Sequence, residues 1–469
     1  MTKNFVSDAL RGGLEKKPPV PVRVLLALLS TAVFYVFALN QRYAMIDEFS
    51  GSRMEELIRI TAAVYTVIYA VSLCVQQTIA RKQPGWMHLL LSVVTGAVLL
   101  GKISLLDYVS DDYSIFLSGW IYQYSQMGLK EGLGTYIASD YTPPYLYMLQ
   151  LISRIDNYPW QYLIKAVSIA FEILLAYVLA KLVSLKKPGE TVQLMTFHLA
   201  SILPTVVFNG AYWGQCDVIY TSLCLTAVYM GLKKRSARSM IFFGLALSFK
   251  LQTVFFLPVM LPLWLRRDIK LRHLALIPAA YMAMMLPALW GGKSLRHVLT
   301  VYLQQAGQYN FITMNAPNLY QFLPELDKTM LYEMFSPMAM MLGFAIVMVM
   351  CAVLCAHRGR MTVDVSLLAC LLMLSGIPFF LPKMHERYMF GADVLSLVLA
   401  VYAPRRVLLP LCFGFASYLA YTAGLPGDRL LDLKWAGMVQ MLGVALTGAE
   451  LWRALHAGEQ EAALSEVKA

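Results

Sequence analysis

KKRSARSMIFFGLALSFKLQTVFFLPVMLPLWLRRDIKLR, residues 233 to 272, is the stretch that decides how the chain is read. Its apolar centre, Ser239 to Leu265, would be about 40 Å long as a single helix at 1.5 Å per residue, enough for one tilted crossing of a bilayer. Both flanks are strongly basic, however, and a single crossing would leave one of them outside, against the bias that keeps Lys and Arg in the cytoplasm. A helix that breaks at Lys250 and turns back keeps both flanks on one side. Each half is then too short to span, so the turn has to sit inside protein or line a cavity, because unsatisfied backbone cannot face lipid.

The rest of the chain fits that reading. It is 58% hydrophobic and 14% charged over 469 residues, too apolar for a soluble protein of this length. Apolar segments recur at roughly 22–41, 58–80, 87–105, 160–183, 191–208, 217–232, 239–249 with 251–265, 273–290, 337–356, 362–381, 388–403, 407–422 and 435–456. With the divided pair counted as two, the expectation is an all-α polytopic membrane protein of about 14 transmembrane helices, both termini cytoplasmic. The first segment is too long for a signal-peptide core and no small-residue cleavage site follows it.

The net charge of +11 is accounted for by the loops. Basic clusters at 11–17, 81–82, 186–187, 233–238, 266–272, 357–360 and 405–406 mark every second loop, and no surplus calls for a nucleic-acid partner. The cysteines at 74, 216, 224, 351, 355, 370 and 412 lie in or beside apolar segments, where they read as packing residues.

Two loops exceed what a connection needs, from Asp107 to about Tyr158 and from Gly291 to about Ser336, and parity puts both outside, where function collects. The first opens with Asp107, Asp111 and Asp112. Asp112 is followed by Tyr113, Phe116 and Trp120, an aromatic stripe suited to hold a short amphipathic helix on the membrane surface. A carboxylate at the start of such a helix, as Asp112 is, would be held in place, against a bland reading of these residues as solvated surface. Asp140 and Tyr141 precede Pro143 and Pro144, and Asp140 serves either a turn or a substrate contact. Gln215 and Asp217 enter an apolar helix, where Asp217 either caps it or binds. Lys250 and Gln252 lie at the proposed break, where an ionisable residue faces a cavity or an ion-pair partner.

LPKMHERYMF, residues 381 to 390, places Lys383, His385 and Arg387 in one external turn. One cation could snorkel to headgroups, but three also suit a phosphate, with Glu386 available to orient or protonate the histidine. Carboxylates and cations thus fall on one face of the membrane. No glycine-rich turn of a nucleotide-sugar fold is present. A donor with a membrane-embedded lipid tail fits an external site better.

DDYSIFLSGW, DYTPPYLY, WGQCD, LSFKLQ and PKMHERYMF together resemble the bacterial relatives of the GPI-anchor mannosyltransferases, in the GT-C superfamily of multispanning glycosyltransferases. The resemblance implies transfer of a hexose, mannose above others, from a polyprenyl-phosphate donor to an external glycan, glycolipid or protein acceptor, with inversion. It makes Asp112, ahead of Asp111, the general base, and His385 with Arg387 the donor-phosphate contacts. The more distant glucosyltransferases of N-glycan assembly carry similar motifs, from which this chain departs by Thr142 before the prolines and by Arg387 for a lysine. On this reading 1–86 is a cytoplasmic tail with two extra transmembrane helices, 87–456 the GT-C-type catalytic core, and 457–469 a cytoplasmic tail. No cofactor is expected, since the lipid-linked sugar is a substrate, and the sequence offers too few clustered ligands to propose a metal. The competing class is a transporter or flippase of lipid-linked sugars, which would place charge on both faces of a central path.

Overall fold

A computed structural model describes residues 17–45, 52–139, 141–155, 157–307, 310–324, 328–425 and 430–468. Apart from one pair of two-residue strands, the regular elements described are helices, so the all-α expectation holds. Every apolar segment anticipated from sequence is helical. Eight helices are long and apolar enough to cross a membrane, nine if the bent pair Glu190–Ile202 and Pro204–Trp213 is one span, and Asp217–Leu232, Ser236–Leu247, Leu251–Leu265 and Phe390–Tyr402 are shorter apolar helices. The chain divides into two compact units, 1–114 with 155–215, and 115–154 with 216–469.

The first unit contains the helices Val20–Ala44, Ser52–Ile79, Gly85–Ile103 and Trp160–Ser184 and the bent pair. Polar contacts tie its apolar helices together. Arg42 is buried near the end of the first helix and donates two hydrogen bonds to Asp107 (2.8 and 3.1 Å) and one to Tyr162 (2.9 Å). Burial alone would raise the Asp107 pKa, but the donors Arg42 and Tyr162 hold it below the usual carboxylate range. Lys165 donates to the carbonyls of Leu105, Leu106 and Tyr108 (2.9, 3.0 and 2.7 Å), in the turn that follows the Gly85–Ile103 helix. Deeper in, Lys102 pairs with Glu172, both 3% exposed. Gly210 is fitted to that pair, since a Cβ there would lie 2.2 Å from Glu172 Oε1.

In the second unit, the first long loop folds into short helices Ser118–Ser125, Leu129–Gly134 and Pro143–Ile152. The second loop contains the helix Leu295–Gly307. It ends sooner than expected, because the next helix runs Lys328–Ala356 and takes in Pro337. Proline reads as a boundary in a soluble chain, whereas neighbouring groups allow it within membrane helices.

The break at Lys250 is present. Ser236–Leu247 ends three residues before it, Lys250 is extended (φ −153°, ψ 137°), and a 3₁₀ stretch begins at Leu251. The segment folds back on itself, for Ser236 Oγ near its start accepts from the backbone N–H of Lys270 just past its end (2.8 Å). Both basic flanks therefore share an end of this unit, as their charge requires.

Other basic loops gather there. Arg266 donates to the Met361 carbonyl (2.8 Å) and Arg360 to that of Leu455 (2.8 Å). Arg406, 2% exposed, grips Asp364 through both terminal nitrogens (2.7 and 2.8 Å) and Glu450 through Nε (2.8 Å). The turn 381–390 lies at the far end of the helix Val363–Phe380, roughly 27 Å from Asp364 at 1.5 Å per residue.

Removing one member of the Lys102–Glu172 pair leaves an uncompensated buried charge. Lys102→Met should lower stability by about 3–5 kcal/mol, and adding Glu172→Gln should recover most of the loss, as read by thermal unfolding in detergent. Equal stability of Lys102→Met and the parent protein would show that the pair is not buried.

Candidate active site

The turn 381–390 is not a free loop. Lys383 takes a left-handed conformation (φ 62°), and its N–H donates to the Ile312 carbonyl (2.9 Å). Thr313–Met314 then pairs in parallel with Met384–His385, and Glu386 N–H closes the ladder on the Met314 carbonyl (3.1 Å). The second long loop is thereby fastened to the charged turn. Neither strand is long enough to show as an alternating pattern in sequence.

Glu386, 4% exposed, accepts from Arg387 Nη1 (2.9 Å), and its Oε1 lies 3.8 Å from His385 Nδ1. Arg387 Nε lies 3.7 Å from Asp217 Oδ2. Asp217 has no exposed surface and accepts from Lys250 Nζ (2.6 Å), which also stands 5.8 Å from the centre of the Tyr220 ring. Tyr388 hydrogen-bonds Gln252 and faces Phe255. One buried cluster thus brings together Asp217, Lys250, Gln252, His385 and Arg387, drawn from three separated stretches of chain.

The cluster is close to electrically balanced. Lys250 and Arg387 face Asp217 and Glu386, and burial together with the nearby Arg387 and Lys250 pushes the His385 pKa well below its usual value. His385 is therefore a neutral imidazole at neutral pH, not the third cation that the sequence allowed. Lys383 Nζ sits over the Tyr332 ring at 4.8 Å.

Tyr141 lies beside this cluster, within electrostatic reach of Arg387 and Asp217. Tyr141 hydrogen-bonds the Cys216 thiol and stands between Trp120 and Tyr145, with ring centres 6.0 and 4.4 Å away. Trp120 is buried, donates to the Ala138 carbonyl (3.1 Å) and carries Phe116 on its other side. Trp120, expected from sequence to hold a helix on the membrane surface, is instead packed inside the first loop. Asp140 lies outside the described residues. Thr142, the departure from the related motif, has a clear use: fully buried, its hydroxyl contacts the carbonyls of Ser248 (2.5 Å) and Phe249 (3.3 Å), which the break before Lys250 leaves open.

Asp112 and Gln215 belong to the first unit. Ser110 Oγ accepts from Tyr113 N–H (3.3 Å) and donates to the Trp213 carbonyl (3.1 Å), fixing the chain on both sides of Asp111 and Asp112. Asp111 is exposed, whereas Asp112 Oδ2 accepts from Gln215 Nε2 (2.5 Å). Gln215 is itself held at both backbone atoms, its N–H by the Asn209 carbonyl (2.8 Å) and its carbonyl by Ser168 Oγ (2.7 Å). A π-helical turn, Phe208–Trp213, and the left-handed Gly214 (φ 81°) make that geometry. Asp112 is thus the positioned carboxylate of the two.

Sequence reasoning passed over Lys102 and Glu172, and took Thr142 only as a departure from the related motif. Glu172 carried a signal, a carboxylate in the middle of an apolar segment, which is expensive and therefore meaningful.

These features define a polytopic helical membrane protein with a positioned carboxylate and a buried set of ion-paired cations at a break where the chain folds back. The model of glycosyltransferase family 87 matches residues 140–382, more than half of the chain, and the protein belongs to that family. It is a membrane glycosyltransferase, so glycosyl transfer takes precedence over transport. The match covers Tyr141, Asp217 and Lys250 and stops short of Lys383, His385 and Arg387. No curated protein matches the chain.

Because His385 is held neutral, an unfolded chain binds its proton first. The sign follows: below about pH 6.5, where an ordinary histidine titrates, stability falls as pH drops towards the depressed folded value. The parent protein should lose more thermal stability than His385→Gln between pH 7 and pH 5. Parallel losses would mean that the imidazole is solvated or paired as a cation.

Proposed function

We propose that this glycosyltransferase moves a hexose, mannose by its motif resemblance, from a polyprenyl-phosphate donor to an external glycan, glycolipid or protein acceptor, with inversion. Asp112 takes the proton of the acceptor hydroxyl. The freed oxygen lone pair forms the new bond to the anomeric carbon from the face opposite the phosphate, and the bond from that carbon to the phosphate oxygen breaks with its electrons. The departing phosphate is a good leaving group, so electrostatic stabilisation stands in for a general acid.

The observation that carries this reading is the buried set in which Asp217 fixes Lys250 beside Arg387. Cations already oriented by carboxylates need little rearrangement to stabilise developing negative charge, which is how preorganised sites lower a barrier. The near balance of charge favours a phosphodiester, with its single negative charge, over a pyrophosphate carrying more. His385, as a neutral imidazole, can donate a hydrogen bond to phosphate without adding charge. Gln252 and Tyr141 are assigned to substrate contacts nearby, while Gln215 positions the base. Support for an external site comes from the basic loops gathered at the opposite end of the second unit from the turn 381–390.

Three measurements test the reading. With a short-chain polyprenyl-phosphate hexose, Asp112→Asn should lower release of polyprenyl phosphate by about 100-fold or more while donor binding persists, the usual size of a lost general base. Normal turnover would place the base elsewhere. Arg387→Gln should raise the donor KM and lower kcat together. A cysteine at Lys383 should label from outside the cell and one at Ser236 from the cytoplasm, and the same sidedness for both would contradict the orientation.

A further inference from the structure

Away from the charged cluster, residues 129–136 and 290–297 of the second unit meet in a tight junction. Their backbones touch: a Cβ on Gly134 would lie 1.9 Å from the Gly291 carbonyl oxygen. Lys293 is buried there at 7% exposure, and among the described residues no carboxylate pairs with it. Its ammonium is brought down to about 8 by burial alone, so it remains mostly charged at neutral pH. A buried cation with no counter-charge is costly and invites an anion from outside the chain. Lys130 stands nearby with its Nζ over the Trp290 ring (5.4 Å), and Arg296 is exposed in the first turn of the adjoining helix.

That helix, Leu295–Gly307, has two apolar faces. Val298 and Val301 are buried on the inner one, where Tyr281 donates to the Val298 carbonyl (2.8 Å) and Tyr302 reaches the Leu247 carbonyl, close to the break at Lys250. The outer face presents Leu295, Leu299 and Leu303, 51, 55 and 74% exposed, at the i, i+4, i+8 spacing of one stripe. Trp290, 69% exposed, closes the span Leu271–Trp290, at the boundary depth where tryptophan concentrates. A bare leucine stripe, an interfacial tryptophan and flanking cations form the pattern of a helix lying in a lipid surface.

We propose that this junction binds the headgroup phosphate of an anionic phospholipid: Leu295, Leu299, Leu303 and Trp290 enter the bilayer interface, and Lys293, with Lys130 and Arg296, takes the phosphate. The apolar stripe selects a lipid over a soluble anion, since a free phosphate would leave the leucines uncovered. Uncompensated positive charge selects an anionic lipid over a zwitterionic one. The bound lipid would fix the second long loop, whose helix reaches the re-entrant break through Tyr302. This site does not depend on the glycosyl-transfer reading.

The full-length protein, reconstituted in nanodiscs of equal parts phosphatidylcholine and phosphatidylglycerol and then released for native mass spectrometry, should retain phosphatidylglycerol in preference. Lys293→Met should lower that retention about tenfold, the loss of one charge-assisted hydrogen bond. Lys130→Gln and Leu299→Ser should each weaken it less, and Arg238→Gln, in the first turn of Ser236–Leu247, should leave it unchanged. Equal retention of both lipids by the parent protein would overturn the proposal. So would displacement of phosphatidylglycerol by excess inorganic phosphate, which would reveal a soluble-anion site. Should Lys293→Met fail to fold, unchanged retention in both Lys130→Gln and Leu299→Ser overturns it instead.

Discussion

The ion pair between Asp217 and Lys250 is the constraint on which the second unit turns. A lysine and a carboxylate, both withdrawn from water, are tolerable only when each satisfies the other. That requirement brings the start of Asp217–Leu232 against the break in 236–265, and the break is what lets two basic flanks stay together. Thr142 serves the same break from the backbone side by covering carbonyls that a helix would have covered. Arg387 then completes the arrangement from a third stretch of chain.

The chemistry follows from how those charges are held. An open cluster of three cations would bind any polyanion and depend heavily on salt. Here Lys250 and Arg387 are each matched to a carboxylate, Lys383 turns to the Tyr332 ring and the histidine is kept neutral, so what remains is an oriented field with little net charge. A preorganised field of that kind favours charge that develops during a reaction over charge already present at its start. Asp112 is held by a comparable device in the other unit: a glutamine fixed at its backbone presents its amide to the carboxylate.

Much of this was legible in sequence because charge in an apolar chain is rarely idle. The break at Lys250 could be read from KKRSAR and RRDIKLR alone, and the apolar runs gave the helices. Lys250, Gln252, Asp217, His385 and Arg387 stood out as polar residues at the ends or breaks of those runs, and the structure gathers them. Partnerships were harder to see. Nothing in the sequence says that Glu386 serves Arg387 more closely than His385, or that Lys383 turns to Tyr332, because such choices depend on backbone conformation. The two-residue ladder between 313–314 and 384–385 is too short for any periodic signal. Thr142 looked like an insertion and is a cap, a role visible only once the carbonyls it meets are known. The start expected at 337 was late, since the helix begins at Lys328 and runs through Pro337.

The most direct test is a double-mutant cycle on Asp217 and Lys250, following both thermal stability and release of polyprenyl phosphate from a short-chain donor. Either Asp217→Asn or Lys250→Met alone should lose about 3–5 kcal/mol of stability and stop release, and the two together should regain most of the stability without regaining release. Simply additive losses of stability, or a double variant that turns over like the parent protein, would contradict the account.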